Sequence, residues 1–324
     1  MTGPAPLTPT MNERAWALAD ACETRAAELR VRLFRLRGGT RVIDAGVDTP
    51  GGLGAGLALA HMCLGGLGQV SLTSVTVGDS TWDGVHVWTD HPARACMAAQ
   101  YAGWAITPDG YFALGSGPLR AVARVEQALF AKLACHEAGA RGVLALETRT
   151  LPTDAVADWI ATRAGIPAEG LTLVVAPTAS LAGSVQVSAR IVETGLHKMD
   201  VLGFDVTRVR SASGLAPVAP IGATDLEAIG RTNDCVLYGG SARYTIDASD
   251  EELAALAARL PASASRDYGE PFERIFRRYD RDFYRIDPLL FSPAEVWLTS
   301  TVSGRTVHAG RGNAAVLRAS LLGG

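Results

Sequence analysis

Apolar positions recur along this chain with two periods. A spacing of three to four residues predicts helices, and alternation with polar positions predicts strands. The first helix is expected over residues 12–36, with Asn12 as N-cap, Glu13 in the first turn and Gly38-Gly39 as the stop. A strand is expected over 41–47, a helix over 55–63 closed by Gly65-Gly66, and alternating strands over 70–79 and 84–90. Residues 91–104 read as a helix with Pro92 in its first position. A tight GSGP turn then leads into an amphipathic helix reaching residue 139. Strands at 142–148 and 171–177 bracket a helix at 154–165, and a long helix follows over 180–199. Later segments at 235–246, 251–260, 272–284 and 296–310 continue the mixture, with a hairpin turn at 303–305. No internal repeat or low-complexity run interrupts the pattern. Antiparallel and crossover signals together predict an α+β fold rather than a simple doubly wound sheet.

Composition narrows this picture. At roughly 150 residues per domain, 324 residues suggest two domains or one large unit. The expected division is a disordered leader over 1–11, a first α/β domain over 12–148 and a second over 149–324, with C-terminal segments free to return to the first. Thirty basic and 33 acidic residues leave a net charge of −3, which favours neither nucleic acid nor a membrane surface. Five widely spaced cysteines with no CxxC argue against a disulfide framework and a cysteine-built metal site, so reduced thiols in the cytoplasm are expected. The opening MTGPAPLTPT lacks the basic and apolar regions of a signal peptide. Residues 49–78 contain no charged side chain, but seven glycines between 51 and 68 break any spanning helix. A buried helix and strand, packed closely through glycine, is expected there.

The segment 184–199, SVQVSARIVETGLHKM, carries the chemistry. As a helix it places Val185, Ala189, Val192, Leu196 and Met199 on one stripe. Gln186, Arg190, Glu193 and His197 fall on another, while Val187, Ile191 and Thr194 occupy the rest. An amide, a guanidinium, a carboxylate and an imidazole therefore point one way from an otherwise apolar helix. Arg190 and Glu193, three apart, can form an internal ion pair on any helix. Against that simple reading, burying two charges costs more than their attraction commonly returns. The small-residue run APTASLAG (176–183) just before them would also let a ligand reach the backbone.

Here the sequence resembles the methenyltetrahydromethanopterin cyclohydrolase family. The resemblance rests on IDAGV (43–47), CLGGL (63–67), QYAGW (100–104), LGSGP (114–118), APTASLAGSVQVSARIVETGLHK (176–198), TND (232–234), YGEPF (268–272), FYRID (283–287) and HAG (308–310), in family order. The 176–198 run is the most specific. The resemblance implies two α/β domains with the active-site cleft between them, a homotrimer, and a reversible, metal-free reaction. That reaction hydrolyses N5,N10-methenyl-tetrahydromethanopterin, or its dephospho form, to the N5-formyl derivative in one-carbon metabolism, including formaldehyde oxidation in methylotrophs. It places the water-positioning arginine and glutamate on Arg190 and Glu193. The chain departs from the family at Ala45, where cysteine is frequent, and at Leu119 and Gly54. None of these touches Arg190 or Glu193.

The methenyl carbon is amidinium-like and already electrophilic, so the enzyme must deliver water, accept its proton and let one C–N bond break. Glu193 suits the base and Arg190 the holding of carboxylate and water. Gln186 and His197 are candidate supporting partners, His197 being equally an ordinary half-buried histidine. Gln100 and Tyr101 could present hydrogen bonds and a flat surface to the pterin. Asn233 and Asp234 could reach ring amino groups or form an Asx turn. Ser116, Gly117 and Arg120 could hold the carrier's anionic tail at a helix start, or simply initiate a helix. No cofactor beyond the pterin substrate and no metal is expected. Two other readings remain: GGLGAG (51–56) weakly suggests a nicotinamide-dependent dehydrogenase, and the chain could be a non-catalytic pterin carrier.

Overall fold

A computed structural model describes residues 7–322, apart from the side chain of Tyr284. The elements in chain order begin with α1 (Met11–Thr24), α2 (Ala26–Leu29), β1 (Arg32–Arg35), β2 (Arg41–Asp44) and α3 (Leu53–Cys63). The hairpin of β3 (Gln69–Val77) and β4 (Ser80–Thr89) follows, then a π-helix (Ala93–Gln100), β5 (Trp104–Ile106) and β6 (Ala113–Ser116). Next come α4 (Leu119–Ala123), α5 (Gln127–Leu133), β7 (Gly142–Glu147), α6 (Asp154–Ala164), β8 (Leu171–Val175), α7 (Leu181–Ser188) and α8 (Ile191–Val201). The remainder is β9 (Val209–Pro217), α9 (Asp225–Gly239), β10 (Ser241–Ile246), α10 (Asp250–Ala257), α11 (Phe272–Arg278), β11 (Glu295–Ser300), β12 (Thr306–Gly310) and α12 (Ala314–Leu322). The fold is α+β, with two mixed six-stranded sheets. Among the described residues no helix is long and apolar enough to cross a membrane.

The chain separates into two compact units that interleave in sequence. Within the described residues, one holds 7–68 and 94–186, the other 69–93 and 187–322. The boundary expected at 148/149 falls inside the first unit. Of the expected leader, residues 1–6 lie outside the described residues, while Thr10 forms a capping box with Glu13 at the start of α1.

In the first unit the strand order is β1-β2-β8-β7-β6-β5, with β2, β8 and β7 parallel. These three central strands are apolar on both faces, as a covered parallel sheet requires. Ile43, Val143 and Val174 pack on α1 and α3, and Val42, Leu144, Leu173 and Val175 pack on α6. The glycines of the uncharged stretch do bring helices close: a Cβ on Gly56 would lie 2.6 Å from Cβ of Val185 in α7. In the second unit the order is β12-β11-β10-β9-β4-β3, antiparallel except for β10 and β11. One core of that unit gathers Val75, Val77, Tyr238, Phe272, Phe276 and Leu317 from β3, α9, α11 and α12.

Four expected elements change. The first helix does not reach residue 36: Arg30 adopts a left-handed φ of 58° and closes α2, and Arg32–Arg35 pair with β2 as a strand. The helix expected through residue 139 is broken by left-handed Arg124 and Ala134 into α4 and α5. Residues 93–100 wind as a π-helix, so Tyr101 donates its N–H to Cys96 O, five residues back, at 2.8 Å. The helix expected over 180–199 divides into α7 and α8, joined by a tighter step in which Arg190 N–H reaches Val187 O at 3.0 Å.

Candidate active site

Helix α8 begins just after the chain passes into the second unit, and tertiary contacts hold it along its length. Ser188 Oγ donates to Pro217 O at 2.7 Å, and Tyr244 Oη on β10 donates to Val192 O at 3.0 Å. Gly195 is required beneath that tyrosine, because a Cβ there would lie 2.0 Å from its hydroxyl oxygen. Lys198 Nζ donates to Pro261 O at 2.7 Å. Between these anchors sits Glu193, only 4% exposed. Arg190 occupies the flanking position at the helix start, half-buried, with its carbonyl accepting from Thr194 N–H at 2.9 Å. His197 is half-buried one turn beyond Glu193, and burial lowers its pKa against a weaker opposing pull from Asp200. The structure thus keeps Arg190, Glu193 and His197 on one short, rigidly held segment.

Gln186 belongs with the first unit. It is buried, and its Nε2 lies 3.8 Å from Cys63 Sγ, which in turn lies 3.4 Å from Ser116 Oγ. All five cysteines are buried, and none is in a disulfide. Gln100 ends the π-helix, fully buried, and half-buried Tyr101 follows it.

Arg120 is turned towards its own chain. It was expected either to meet an anionic tail beside a helix start or simply to initiate a helix, and it is fully buried. Its Nε and Nη2 donate to Glu126 Oε1 at 2.9 and 2.5 Å, and its Nη1 donates to the carbonyls of Met97 and Ala99 at 3.1 Å each. The guanidinium closes the last turn of the π-helix, with the Tyr101 ring 5.1 Å away. Gly117 N–H is likewise taken by Ala99 O at 2.8 Å, and α4 is only five residues long. Gly117 itself needs glycine, with φ at 111°.

Two further readings shift for similar reasons. The small residues of APTASLAG serve close packing of the chain on itself. A Cβ on Gly183 would lie 2.1 Å from Pro177 O, and one on Gly46 2.8 Å from Ser180 Oγ. Asn233 and Asp234 form no Asx turn, since both lie inside α9. Asn233 Nδ2 donates to Ile229 O at 2.8 Å, and Asp234 Oδ1 accepts from Phe272 N–H at 2.9 Å at the start of α11. Burial of Asp234 pushes its carboxyl up to about 7.

Two organising residues escaped the sequence reading. Asp44, fully buried at the end of β2, accepts N–H from Gly46, Val47 and Asp48 at 3.1, 2.8 and 3.0 Å and so shapes the loop that follows. Only the following DAGVDTPGG loop composition hinted at it. Lys198 is fully buried, and desolvation holds its amine down to about 7. Its signal was available, because it extends the apolar stripe Val187–Ile191–Thr194 by a further four residues.

Fold and geometry together define a class: an α+β protein that presents a buried carboxyl and a half-buried guanidinium on and just before one anchored helix. Comparison with known proteins gives the family. Residues 10–321 match the family model described as Cyclohydrolase (MCH), and the chain belongs to that family. It is 45% identical over 294 residues to the methenyltetrahydromethanopterin cyclohydrolase of Xanthobacter autotrophicus, covering 90% of this chain and 87% of that one. To the protein of the same name from Methanocaldococcus jannaschii it is 41% identical over 316 residues, covering 96% and 98%. The Methylobacillus flagellatus protein of that name is 40% identical over 312 residues, covering 96% and 95%.

Proposed function

We propose that this chain hydrolyses N5,N10-methenyl-tetrahydromethanopterin, or its dephospho form, to the N5-formyl derivative, reversibly and as a step of one-carbon metabolism. Formaldehyde oxidation is the setting in which such a step serves a methylotroph. The observation that carries the reading is Glu193, a carboxyl 4% exposed on a helix anchored on both sides of it, in a chain of the cyclohydrolase family.

Water attacks the methenyl carbon, and Glu193 takes one of its protons as the C–O bond forms. The carbinol then collapses: the C–N10 bond breaks, Glu193 returns its proton to N10, and the hydroxyl proton leaves to solvent. One proton is released overall, matching the loss of the cation's charge. Arg190 holds the carboxylate and the attacking water in one plane, a task for a guanidinium fork. Gln186, Gln100, Tyr101, Ser116, Gly117 and His197 are the substrate-side candidates, and the reaction as proposed needs no cofactor beyond the pterin substrate and water. The chain is assigned to the cytoplasm and to a homotrimer on the same reading.

The carrier is assigned to the methanopterin type. Its aryl ring lacks the electron-withdrawing carbonyl of the folate carrier, so the leaving nitrogen differs in basicity. The test measures kcat/KM for both methenyl carriers side by side, where transition-state contacts are compared. A methanopterin preference is expected. A folate value equal to or above it would overturn the substrate assignment and leave the ring-opening chemistry standing.

A further inference from the structure

The second unit's sheet buries one face against α8, where Ile191 packs on Gly214 and Gly195 on Tyr244. On its other face one row of side chains crosses all six strands in register. Gln69 pairs with Trp88, Trp88 with Ser213, Ser213 with Arg243, Arg243 with Trp297, and Trp297 with His308. The solvent face of an antiparallel sheet is ordinarily polar. Here Trp88 is 46% exposed. Three members of the row form a ready-made stack: the Arg243 guanidinium lies 4.0 Å from the Trp297 ring centre, and the His308 ring lies 4.7 Å from it on the neighbouring strand. His308 is further fixed by Glu295, whose Oε1 is 2.7 Å from its Nε2.

We propose that this row is buried in a contact between copies of this chain, an inference that rests on the homo-oligomer reading above. Tryptophan and arginine are the side chains that most often anchor protein interfaces. Held on a sheet and stacked beforehand, they lose little conformational freedom on association. At about 4.8 Å per strand the row spans about 24 Å, the width of a patch giving about 800 Å² per partner. Charge selects the occupant. Arg243 and Glu295 lie on neighbouring strands and offset each other, Asp90 accepts from Ser211 Oγ at 2.7 Å beyond Trp88, and hydroxyl-bearing Ser213 and Thr299 lie around them. A face of this kind, with charges of both signs and little net charge, lets two like-charged copies approach, and it offers little to a strongly acidic or basic partner.

The test is sedimentation equilibrium of the full chain, wild type and W88E, with circular dichroism confirming that each is folded. In parallel, oxidative footprinting of Trp88 is followed in the wild type across a dilution series. The expected result is a wild-type mass that is a multiple of the chain, about thirtyfold or more weaker association in W88E, and Trp88 protected only in the assembled protein. An assembled wild type in which Trp88 oxidises as readily as in the dilute protein, with W88E equally assembled if it folds, overturns the assignment of this face while the oligomer reading stands. A wild type that stays monomeric at every concentration overturns both. If W88E does not fold, the wild-type footprint decides.

Discussion

Two arginine–glutamate sets, one in each unit, differ in burial and placement, and on the proposed mechanism one is a strut and the other a tool. Arg120 is fully buried and donates to Glu126 and to two carbonyls of a π-helix. Its charge-assisted bonds all point at its own chain, so its work is to close an unusual helix end. Arg190 is only half-buried and stands at the junction of α7 and α8, three residues before a glutamate that is nearly sealed from solvent. The difference lies in exposure and placement rather than residue type: Arg120 is sealed against Glu126 and backbone carbonyls, whereas Arg190 is half-buried at a helix start.

Substitutions sharpen this contrast, beginning with the largest effect. Glu193→Gln should lower kcat by roughly two to four orders of magnitude, the usual worth of a positioned general base, with KM and thermal stability close to wild type. Near-normal turnover in steady-state kinetics would make Glu193 structural, like Glu126. Arg190→Lys should lower kcat by about a hundredfold in a folded protein, because an ammonium cannot hold carboxylate and water with the fork's geometry. Unchanged kinetics would move Arg190 into the same category as Arg120. Arg120→Met should act on stability first, by roughly 3 kcal/mol in urea unfolding, since it leaves Glu126 and the π-helix carbonyls without their donor. A variant with wild-type stability and lost activity would reverse the comparison and restore Arg120 as a binding residue.

The smallest effects are in pH dependence, through two buried groups of the second unit. Lys198 has a folded pKa of about 7, below its ordinary 10.5. The folded state has released that proton in the interval where the unfolded chain still holds it. Its contribution therefore rises as pH climbs from about 7 towards 10.5 and is lost as pH falls back through that window. Asp234 has the opposite sense: its folded pKa of about 7 lies above the ordinary 3.8, so its contribution is full below 3.8 and is lost as pH rises through about 7. The two together place a stability minimum near neutrality. Urea midpoints across pH should show the alkaline arm flattened by Lys198→Met and the acid arm by Asp234→Asn. Identical profiles for wild type and both variants would contradict these assignments.

Much of this could be read from residue patterns, and the exceptions have physical causes. The polar stripe on the segment after residue 184 follows from spacing alone, as does the α+β mixture. The break at Arg190 does not, because it depends on Ser188 meeting Pro217 O and on the chain changing units at residue 186. The role of Arg120 was hidden for a related reason. Its acceptors are carbonyls more than twenty residues earlier, in a π-helix whose residues read as an ordinary helix. The first helix was overextended because Leu33 and Leu36 keep a helical spacing, whereas pairing with β2 decides that stretch. Lys198 was legible in principle, as a lone lysine on an apolar stripe.

On the proposed mechanism this chain alone opens the methenyl ring, with Glu193 as base. The most direct test mixes purified, chelator-treated protein with methenyl-tetrahydromethanopterin and no nucleotide, and follows methenyl absorbance through a single turnover. Rapid loss of that absorbance, formation of the N5-formyl product and release of one proton per turnover are expected. Absorbance that persists with bound substrate, or that falls only when a nicotinamide nucleotide or zinc is added, would contradict the mechanism.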